Sequence, residues 1–405
     1  MIILNNGLSV PSPISLMLFL TQDCQLRCTY CFEEHRHDEK MPLEVAIKAA
    51  DYVAANAKAD GRVPSITLFG GEPLLMWDDV IVPLVNYIRT TYSRFNINMT
   101  TNGLLITREK LLFLRANKVS FMLSIDGAEN GNNATRKYAD GRGAFDGMEE
   151  IIDLILELAP STQFRMTVTP SNVQYLYESV QWFHEKGVER LRAFPNIYGE
   201  WPESALQTLD EQLQLYNNYL SNCFNNAEPV LVFDIYDFFF KKIMVKQYEL
   251  ETDKYRSSYF CQTCNRCGIG LLGNFMCNYK GDLFTCDRYV VPDDSNPCYV
   301  GTLDDGVSAE KIDALFTLCD ETKLHSSTMD CPTCTLDHIC SGGCIPVNYQ
   351  ITGSFTEVPE SYCKYNQIVY KNVVALLEKF EADQTCDGFK TYFQEVVQRG
   401  LRYVG

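Results

Sequence analysis

A chain of 405 residues with 46% hydrophobic content is long enough for two or three domains with substantial cores, and its composition excludes a disordered polymer. A net charge of -17 argues against a nucleic-acid partner, because holding a phosphate backbone depends on Lys and Arg. Seventeen cysteines without an export signal point to metal or redox chemistry in a cytoplasmic, oxygen-sensitive protein, not to a disulfide framework.

The first basic residue is Arg27, so the amino end lacks the charged segment of a secretory signal. Residues 16–20 form an apolar, strand-like run that is too short to span a membrane. Directly after it, Thr21-Gln22-Asp23-Cys24-Gln25-Leu26-Arg27-Cys28-Thr29-Tyr30-Cys31 carries three cysteines at CxxxCxxC spacing on a short loop. Three thiolates can converge on one small inorganic cluster, and an iron-sulfur cube held by only three of them keeps one iron open for a substrate or cofactor. Zinc is the rival, since thiolates also suit it, and His35 and His37 lie close enough in sequence to complete a tetrahedral set.

An alternation of helix and strand patterns follows. Residues 42–57 read as a helix opened by proline, and 65–69 as a β-branched and aromatic strand stopped by Gly70-Gly71. In Gly70-Gly71-Glu72-Pro73 the glycines permit close approach of a ligand to the backbone, and Glu72 can accept a hydrogen bond from a cationic amine. Residues 78–89 are helical, 95–101 a strand ending at Asn102-Gly103, 107–117 a helix, and 119–125 a strand closed by Asp126-Gly127. A helix over 144–158, a strand over 164–169, a helix over 174–186 and a strand over 190–194 continue the rhythm. Six strands separated by helices require crossovers and hence a parallel sheet. The pattern leaves a partial barrel and a doubly wound sheet both open, and either one puts the active loops at the C-terminal strand ends.

The rhythm breaks after Pro195. Residues 204–225 form a long amphipathic helix pattern and 230–245 an aromatic-rich helical one; from Cys261 the chain is cysteine-dense with short loops. Cys261, Cys264 and Cys267 precede Cys277 and the run Gly281-Asp282-Leu283-Phe284-Thr285-Cys286; Cys331 and Cys334 form a CxxC, and Cys340, Cys344 and Cys363 follow. A pair of zinc ribbons would use such thiols too, and spacing alone does not refute it. Cys223, Cys298, Cys319 and Cys386 are isolated and read as buried structural thiols. The expected organisation is a sheet domain over 1–225, a helical bridge over 226–260, a cysteine-rich domain over 261–370 and a helical tail over 371–405, with no tandem repeat.

CxxxCxxC after an apolar strand, Tyr30 before its third cysteine, Gly70-Gly71-Glu72-Pro73, Ser124-Ile125-Asp126-Gly127 and the late cysteines, in this order, resemble the radical S-adenosylmethionine (AdoMet) enzymes with a C-terminal SPASM domain. The resemblance covers about residues 15–370. It implies an α/β fold: a partial (β/α)6 radical SAM barrel followed by a small cysteine-rich SPASM domain holding two auxiliary iron-sulfur clusters. It implies that Cys24, Cys28 and Cys31 hold a 4Fe-4S cluster whose fourth iron is chelated by AdoMet, which one electron cleaves to a 5'-deoxyadenosyl radical. Gly70, Gly71 and Glu72 would hold the methionyl amino group, Ser124 and Arg136 the carboxylate, which suits a guanidinium fork, and Tyr30 the adenine. By the same resemblance Cys261, Cys267, Cys286 and Cys344 would hold the first auxiliary cluster, and Cys331, Cys334, Cys340 and Cys363 the second, making three 4Fe-4S clusters. Cys264 and Cys277 are surplus to that pattern and leave the first auxiliary ligand set open. Asp287 stands where sulfatase-maturing members carry the base that takes a proton from substrate; a hydrogen-bond acceptor for the cluster domain is the equal alternative. His338, inside the second cluster's loop, reads as structural.

The function this implies is a maturase that abstracts hydrogen from a residue of a ribosomally made peptide and oxidises or cross-links it. Its partners would be a peptide or protein substrate and a reductant such as flavodoxin or ferredoxin, with no nucleic acid and no membrane. An anaerobic sulfatase-maturating enzyme, forming formylglycine from Cys or Ser, is the second reading. From a different class, a zinc-stabilised interaction module is the third.

Overall fold

The computed structural model describes residues 2–3, 9–10, 12–33, 39–196, 199–226, 228, 230–233, 236, 238–240, 243, 274–290, 295–318, 325–336, 339–340 and 342–382. In chain order these form β1 (Ile2–Ile3), β2 (Ser9–Val10), β3 (Ser15–Thr21), α1 (Leu43–Ala59), β4 (Ser65–Gly70), α2 (Val82–Thr91), β5 (Asn96–Thr101), α3 (Arg108–Ala116) and β6 (Val119–Ser124). They continue with α4 (Glu129–Thr135), α5 (Met148–Leu158), β7 (Gln163–Val168), α6 (Leu176–Glu185), β8 (Leu191–Pro195) and α7 (Glu203–Asn226). The last elements are β9 (Asn274–Cys277), β10 (Asp282–Phe284), β11 (Tyr299–Thr302), β12 (Gly306–Val307), α8 (Ala309–Leu318), α9 (Ile345–Thr352) and α10 (Glu360–Ala382).

All six strands expected from periodicity are present, as β3 to β8, with their ends within one residue of expectation. Two helices differ. The helix expected over 144–158 starts only at Met148, because Gly147 sits at φ 73, a left-handed conformation that interrupts helical backbone. The one expected over 78–89 opens as a π-helical turn, Trp77–Ile81, before α2.

The chain divides into two compact units, Met1–Ser124 with Lys137–Thr162 and Arg266–Asp320, and Ile125–Arg136 with Gln163–Asn265 and Glu321–Gly405. In the first unit β3, β4, β5 and β6 lie side by side in chain order, all parallel. A doubly wound sheet reverses its strand order part-way, whereas a β/α barrel keeps it, so this order is the barrel type of winding. Helix α1 buries Ala46, Ala49, Ala50, Val53 and Ala57, a stripe of small residues that lets the helix lie close to its neighbours. Along β3, Leu16 and Leu18 are fully buried, while Met17 and Phe19 join a cluster with Phe69, Met276, Phe284 and Val290. Alternate side chains leave a strand on opposite faces, so both faces of β3 are covered.

The free edge of β3 is taken by a segment that the sequence suggested was loop. β9 pairs in parallel with β3, Leu18 opposite Cys277, and β10, β11 and β12 add antiparallel strands beyond it. These strands span two to four residues, too short to show alternation, and an unpaired edge of a buried strand is what recruits them. An ion pair between Lys48 of α1 and Asp304, in the turn between β11 and β12, clasps the added ribbon.

In the second unit β7 and β8 pair in parallel, and the long helices α7 and α10 pack together. Asp210 of α7 accepts from Lys371 Nζ and Asn372 Nδ2, both at 2.7 Å, and Asn217 Nδ2 donates to the Asn372 carbonyl at 2.8 Å. Within the segment expected to be helical over 230–245, Tyr236, Phe239 and Phe240 are buried; Tyr216 of α7 stacks on Phe233 with ring centroids 4.1 Å apart. No break falls at residue 370, where the tail was expected to start. Helix α10 runs through it because Val369, Val373, Leu376 and Phe380 keep a buried helical stripe. Among the described residues, no helix is long and apolar enough to cross a membrane.

Candidate active site and thiol centres

The pairing of β3 with β4 shifts after Phe19 and sets Thr21 opposite Gly70. At Gly70, where φ is 126, a side-chain carbon would stand 2.2 Å from the Thr21 carbonyl oxygen; at Gly71 it would stand 2.2 Å from that of Asp23. Only glycine permits this approach. The Gly71 N–H donates to the Thr21 carbonyl at 2.7 Å and the Glu72 N–H to that of Asp23 at 2.9 Å, so the cysteine loop is bonded directly to the motif that ends β4.

Glu72 is completely buried. Its Oε1 accepts from the Leu74 N–H at 3.0 Å and the Thr101 hydroxyl at 2.7 Å, and its Oε2 accepts from the Asn102 N–H at 2.8 Å. Two donors at the end of β5 and one from the turn that follows Glu72 thereby orient one carboxylate. Cys24 lies beside it. The Leu26 N–H reaches its Sγ at 3.4 Å and Asn102 Nδ2 does so at 3.6 Å, while Gln25 Nε2 donates to Asn102 Oδ1 at 3.3 Å. Burial pushes the Cys24 thiol up to about 12; the Leu26 N–H opposes this, and the charges of Glu72, Cys28 and Cys31 add to it. The three thiols and the carboxylate therefore share one local field, in which a bound cation would draw off the thiol protons.

Arg27 Nη1 closes the loop by donating to the carbonyls of Cys24 at 2.6 Å and Leu26 at 2.7 Å, and the Cys31 N–H donates to the Cys28 carbonyl at 3.0 Å. Tyr30 is half-buried on this loop. Among the described residues, no three Cys, His, Asp or Glu side chains gather as they would around a single metal ion. His35 and His37 lie outside the described residues.

The ribbon on the edge of β3 brings a second set of residues to the cysteine loop. Asp287 opens a 3-10 turn, Asp287–Tyr289, and its Oδ1 accepts from the Cys286 thiol at 3.6 Å. The Arg288 guanidinium sits over the Phe32 ring, 4.7 Å from its centroid, and Phe32 stacks on Phe69. Phe32 follows Cys31 and Phe69 precedes Gly70, so this cation–π contact joins the Asp287 turn to both motifs. Asn102, Arg27 and Arg288 are the residues that sequence reasoning passed over. In the sequence Asn102 reads with Thr101 and Gly103 as a strand-end turn that could shape the pocket, without its bond to Cys24, and neither arginine has a partner that spacing could reveal.

The second unit contains another thiol group. A 3-10 turn, Cys331–Thr333, leads into Cys334, whose N–H donates to the Cys331 carbonyl at 3.1 Å. The Leu336 N–H points at Cys334 Sγ at 3.4 Å and the Gly342 N–H at Cys340 Sγ at 3.3 Å. Cys363, in the first turn of α10, is pushed up to about 11 by burial and by Cys340, Cys331 and Cys334, with Ser326 opposing. Cys331, Cys334 and Cys340, the three cysteines expected to join Cys363 in one set, are thus all within electrostatic reach of its thiol. Gly342 and Gly343 both have positive φ and turn the chain before Cys344, the residue preceding α9.

The remaining predicted residues are placed individually. Ser124 ends β6. Arg136 follows α4 and is 7% exposed. Buried Asp126 nearby accepts from the Thr167 N–H at 2.8 Å and the Thr135 hydroxyl at 2.7 Å, which makes it a structural tie within its own unit. Cys277 is fully buried in β9, donates to the Asn278 carbonyl at 3.5 Å, and is held well above the ordinary thiol range by burial, then by Asp282. Cys223 and Cys298 are buried, as isolated thiols were expected to be. Cys261, Cys264, Cys267, Cys319, Cys386 and His338 lie outside the described residues.

Residues 18–183 match the Radical SAM superfamily, a span that takes in β3 to β7 with both the cysteine loop and the Glu72 motif. The chain carries a radical SAM domain. It is 24% identical over 349 residues to the cysteine-type anaerobic sulfatase-maturating enzyme of Clostridium perfringens (strain 13 / Type A), a match covering 82% of this chain and 89% of that one. Its fold is shared with anSMEcpe solved with bound AdoMet (TM-score 0.72, 21% identity, 94% of this chain and 98% of that one). The same protein with bound AdoMet and Cp18Cys peptide gives 0.70 at 21% identity, covering 90% and 99%. Streptococcus suis SuiB bound to its precursor peptide SuiA shares the fold at a TM-score of 0.58 and 19% identity, covering 87% and 76%.

A radical SAM domain implies AdoMet and a 4Fe-4S cluster. The first unit fits both: soft thiolates suit iron and sulfide, three of them leave a coordination place, and a buried carboxylate beside them suits a cationic amine.

Proposed function

We propose that this radical SAM protein is a peptide maturase, which takes a hydrogen atom from a residue of a ribosomally made peptide and leaves it oxidised or cross-linked through a thioether or carbon-carbon link. The observation that carries this reading is the second thiol group, Cys331, Cys334, Cys340 and Cys363, in addition to the cysteine loop. When bound, the cluster on the loop with AdoMet supplies a 5'-deoxyadenosyl radical, and auxiliary 4Fe-4S centres supply a sink for the second electron.

Cys24, Cys28 and Cys31 would hold the first cluster, with Glu72 accepting the AdoMet amine and Gly70 and Gly71 allowing the backbone approach. Cys331, Cys334, Cys340 and Cys363 would hold an auxiliary centre. The assignments of Cys261, Cys267, Cys286 and Cys344 to a third cluster, of Ser124 and Arg136 to the cofactor carboxylate, and of Tyr30 to the adenine rest on the resemblance. Asp287, whose Oδ1 lies 3.6 Å from Cys286 Sγ, would accept the substrate proton. The reductant would be a flavodoxin or ferredoxin.

Formylglycine formation is the second reading, supported by the extent of the match to the Clostridium enzyme and by Asp287 directly after Cys286. Anaerobic assays with a short peptide encoded beside this gene and with a sulfatase-derived Cys or Ser peptide separate the two. The first peptide is expected to lose hydrogen in step with 5'-deoxyadenosine formation. Conversion of the sulfatase peptide instead would establish the second reading. Metal analysis tests the common ground: three cubes need about twelve irons per chain, whereas a zinc-stabilised module would contain almost none.

A further inference from the structure

We infer that Gln367 is a positioning residue that sets the redox poise of the second thiol centre through an amide hydrogen bond to Cys334. This rests on the proposal that Cys331, Cys334, Cys340 and Cys363 hold a cluster. Gln367 Nε2 lies 3.6 Å from Cys334 Sγ, although the two residues are 33 apart in sequence. Cys363 and Gln367 are separated by one helical turn of α10, so a single helix face presents both a thiol of the set and a donor to another of its sulfurs. Cys334 then receives two N–H groups, from Leu336 and Gln367.

The donor is also held in place. Helix α10 is anchored by buried Val369 and Val373 and by the bonds of Lys371 and Asn372 to Asp210, so the amide is delivered by a rigid element. Hydrogen bonds to cluster sulfurs stabilise the more negative, reduced state and raise the reduction potential. A backbone N–H serves any side chain, whereas the Gln367 amide depends on residue identity. The side chain is neutral, so its effect is independent of pH.

The test is an EPR-monitored redox titration of the anaerobically reconstituted full chain carrying Cys24→Ala, Cys28→Ala and Cys31→Ala, which removes the first cluster's signal. The auxiliary signal lost on adding Cys363→Ala identifies the centre. Gln367→Leu is expected to lower its potential, so that the reduced-to-oxidised ratio at a fixed potential falls about threefold, where tenfold corresponds to 59 mV for one electron. Gln367→Glu should lower it further and introduce a pH dependence. Iron content and thermal melting should remain those of the parent, which a merely structural role would not predict.

If Gln367→Leu loads with iron and titrates at the parent potential, the inference is wrong while the cluster assignment stands. If Cys363→Ala loses neither iron nor a signal, the assignment itself fails. Loss of iron in both Gln367 variants would overturn the inference in favour of a folding role.

Discussion

Cys24 in the first unit and Cys334 in the second each receive a backbone N–H from two residues on, Leu26 and Leu336, both at 3.4 Å, and a carboxamide from a distant element, Asn102 and Gln367, both at 3.6 Å. What surrounds the two sulfurs differs. Cys24 belongs to a set of three thiols backed by the buried Glu72 carboxylate, on a loop bonded to the glycines after β4. Cys334 belongs to a set of four, and the fourth is supplied by a helix. Sulfur-directed N–H groups are thus common to both sulfurs, whereas on the proposed assignments the count of thiols and the neighbouring carboxylate would separate a centre that offers a place to a ligand from one that is closed.

The largest expected effect separates the centres by function. Cys28→Ala should reduce 5'-deoxyadenosine to background, while Cys340→Ala should retain measurable cleavage and lose the peptide product. Cleavage surviving in the first variant would remove the distinction between open and closed sets. Next comes Gly71→Ala, whose added carbon meets the Asp23 carbonyl at 2.2 Å. Backbone cannot yield as a flexible side chain can, so a loss of about 3 kcal/mol or more is expected in denaturant unfolding. Wild-type stability would mean the loop is not tied to β4 as described.

Glu72→Gln keeps the shape and removes the charge. It should weaken AdoMet binding about tenfold to a hundredfold, as expected for a charge-assisted hydrogen bond, with unchanged iron content at Cys334 and its partners. Equal affinity would show that the carboxylate plays no part in binding the amine. The smallest effect concerns the helix that supplies Cys363. Burial raises the Asp210 carboxyl, but hydrogen bonds from Lys371 and Asn372 outweigh it and hold the group below its ordinary range. A carboxyl depressed in the folded state stabilises the fold at pH values above its unfolded pKa, near 3.9, and loses that contribution as pH falls through the folded value. Asp210→Asn should therefore cost about 1 kcal/mol at neutral pH, and its melting curve should converge with the parent's toward pH 3.

Much of the first unit was legible in the sequence because its signals are local. The strands from β3 to β6 announced themselves through apolar and β-branched runs, as β7 and β8 did in the second unit, and Cys24, Cys28, Cys31 and Glu72 through spacing between turn residues. The residues that complete the site were not legible for the opposite reason. Asn102 meets Cys24 across 78 residues of sequence, and Arg288 reaches Phe32 only because β9 and β10 extend the β3 edge. Nothing in a three-residue strand such as β10 marks it as a strand before its partner is in place.

The sequence by itself determined the kind of chemistry, since three thiols on one loop and a carboxylate after a glycine pair are set by covalent order and short-range turn geometry. It likewise determined the alternation of strand and helix, because side-chain periodicity is a property of the local backbone. The tertiary structure alone decided the strand order that selects barrel-type winding, the ribbon that brings Asp287 and Arg288 to the cysteine loop, and the amides that point at Cys24 and Cys334. Those choices depend on which buried edges and polar groups find partners at long range, and that is resolved only when the whole chain packs.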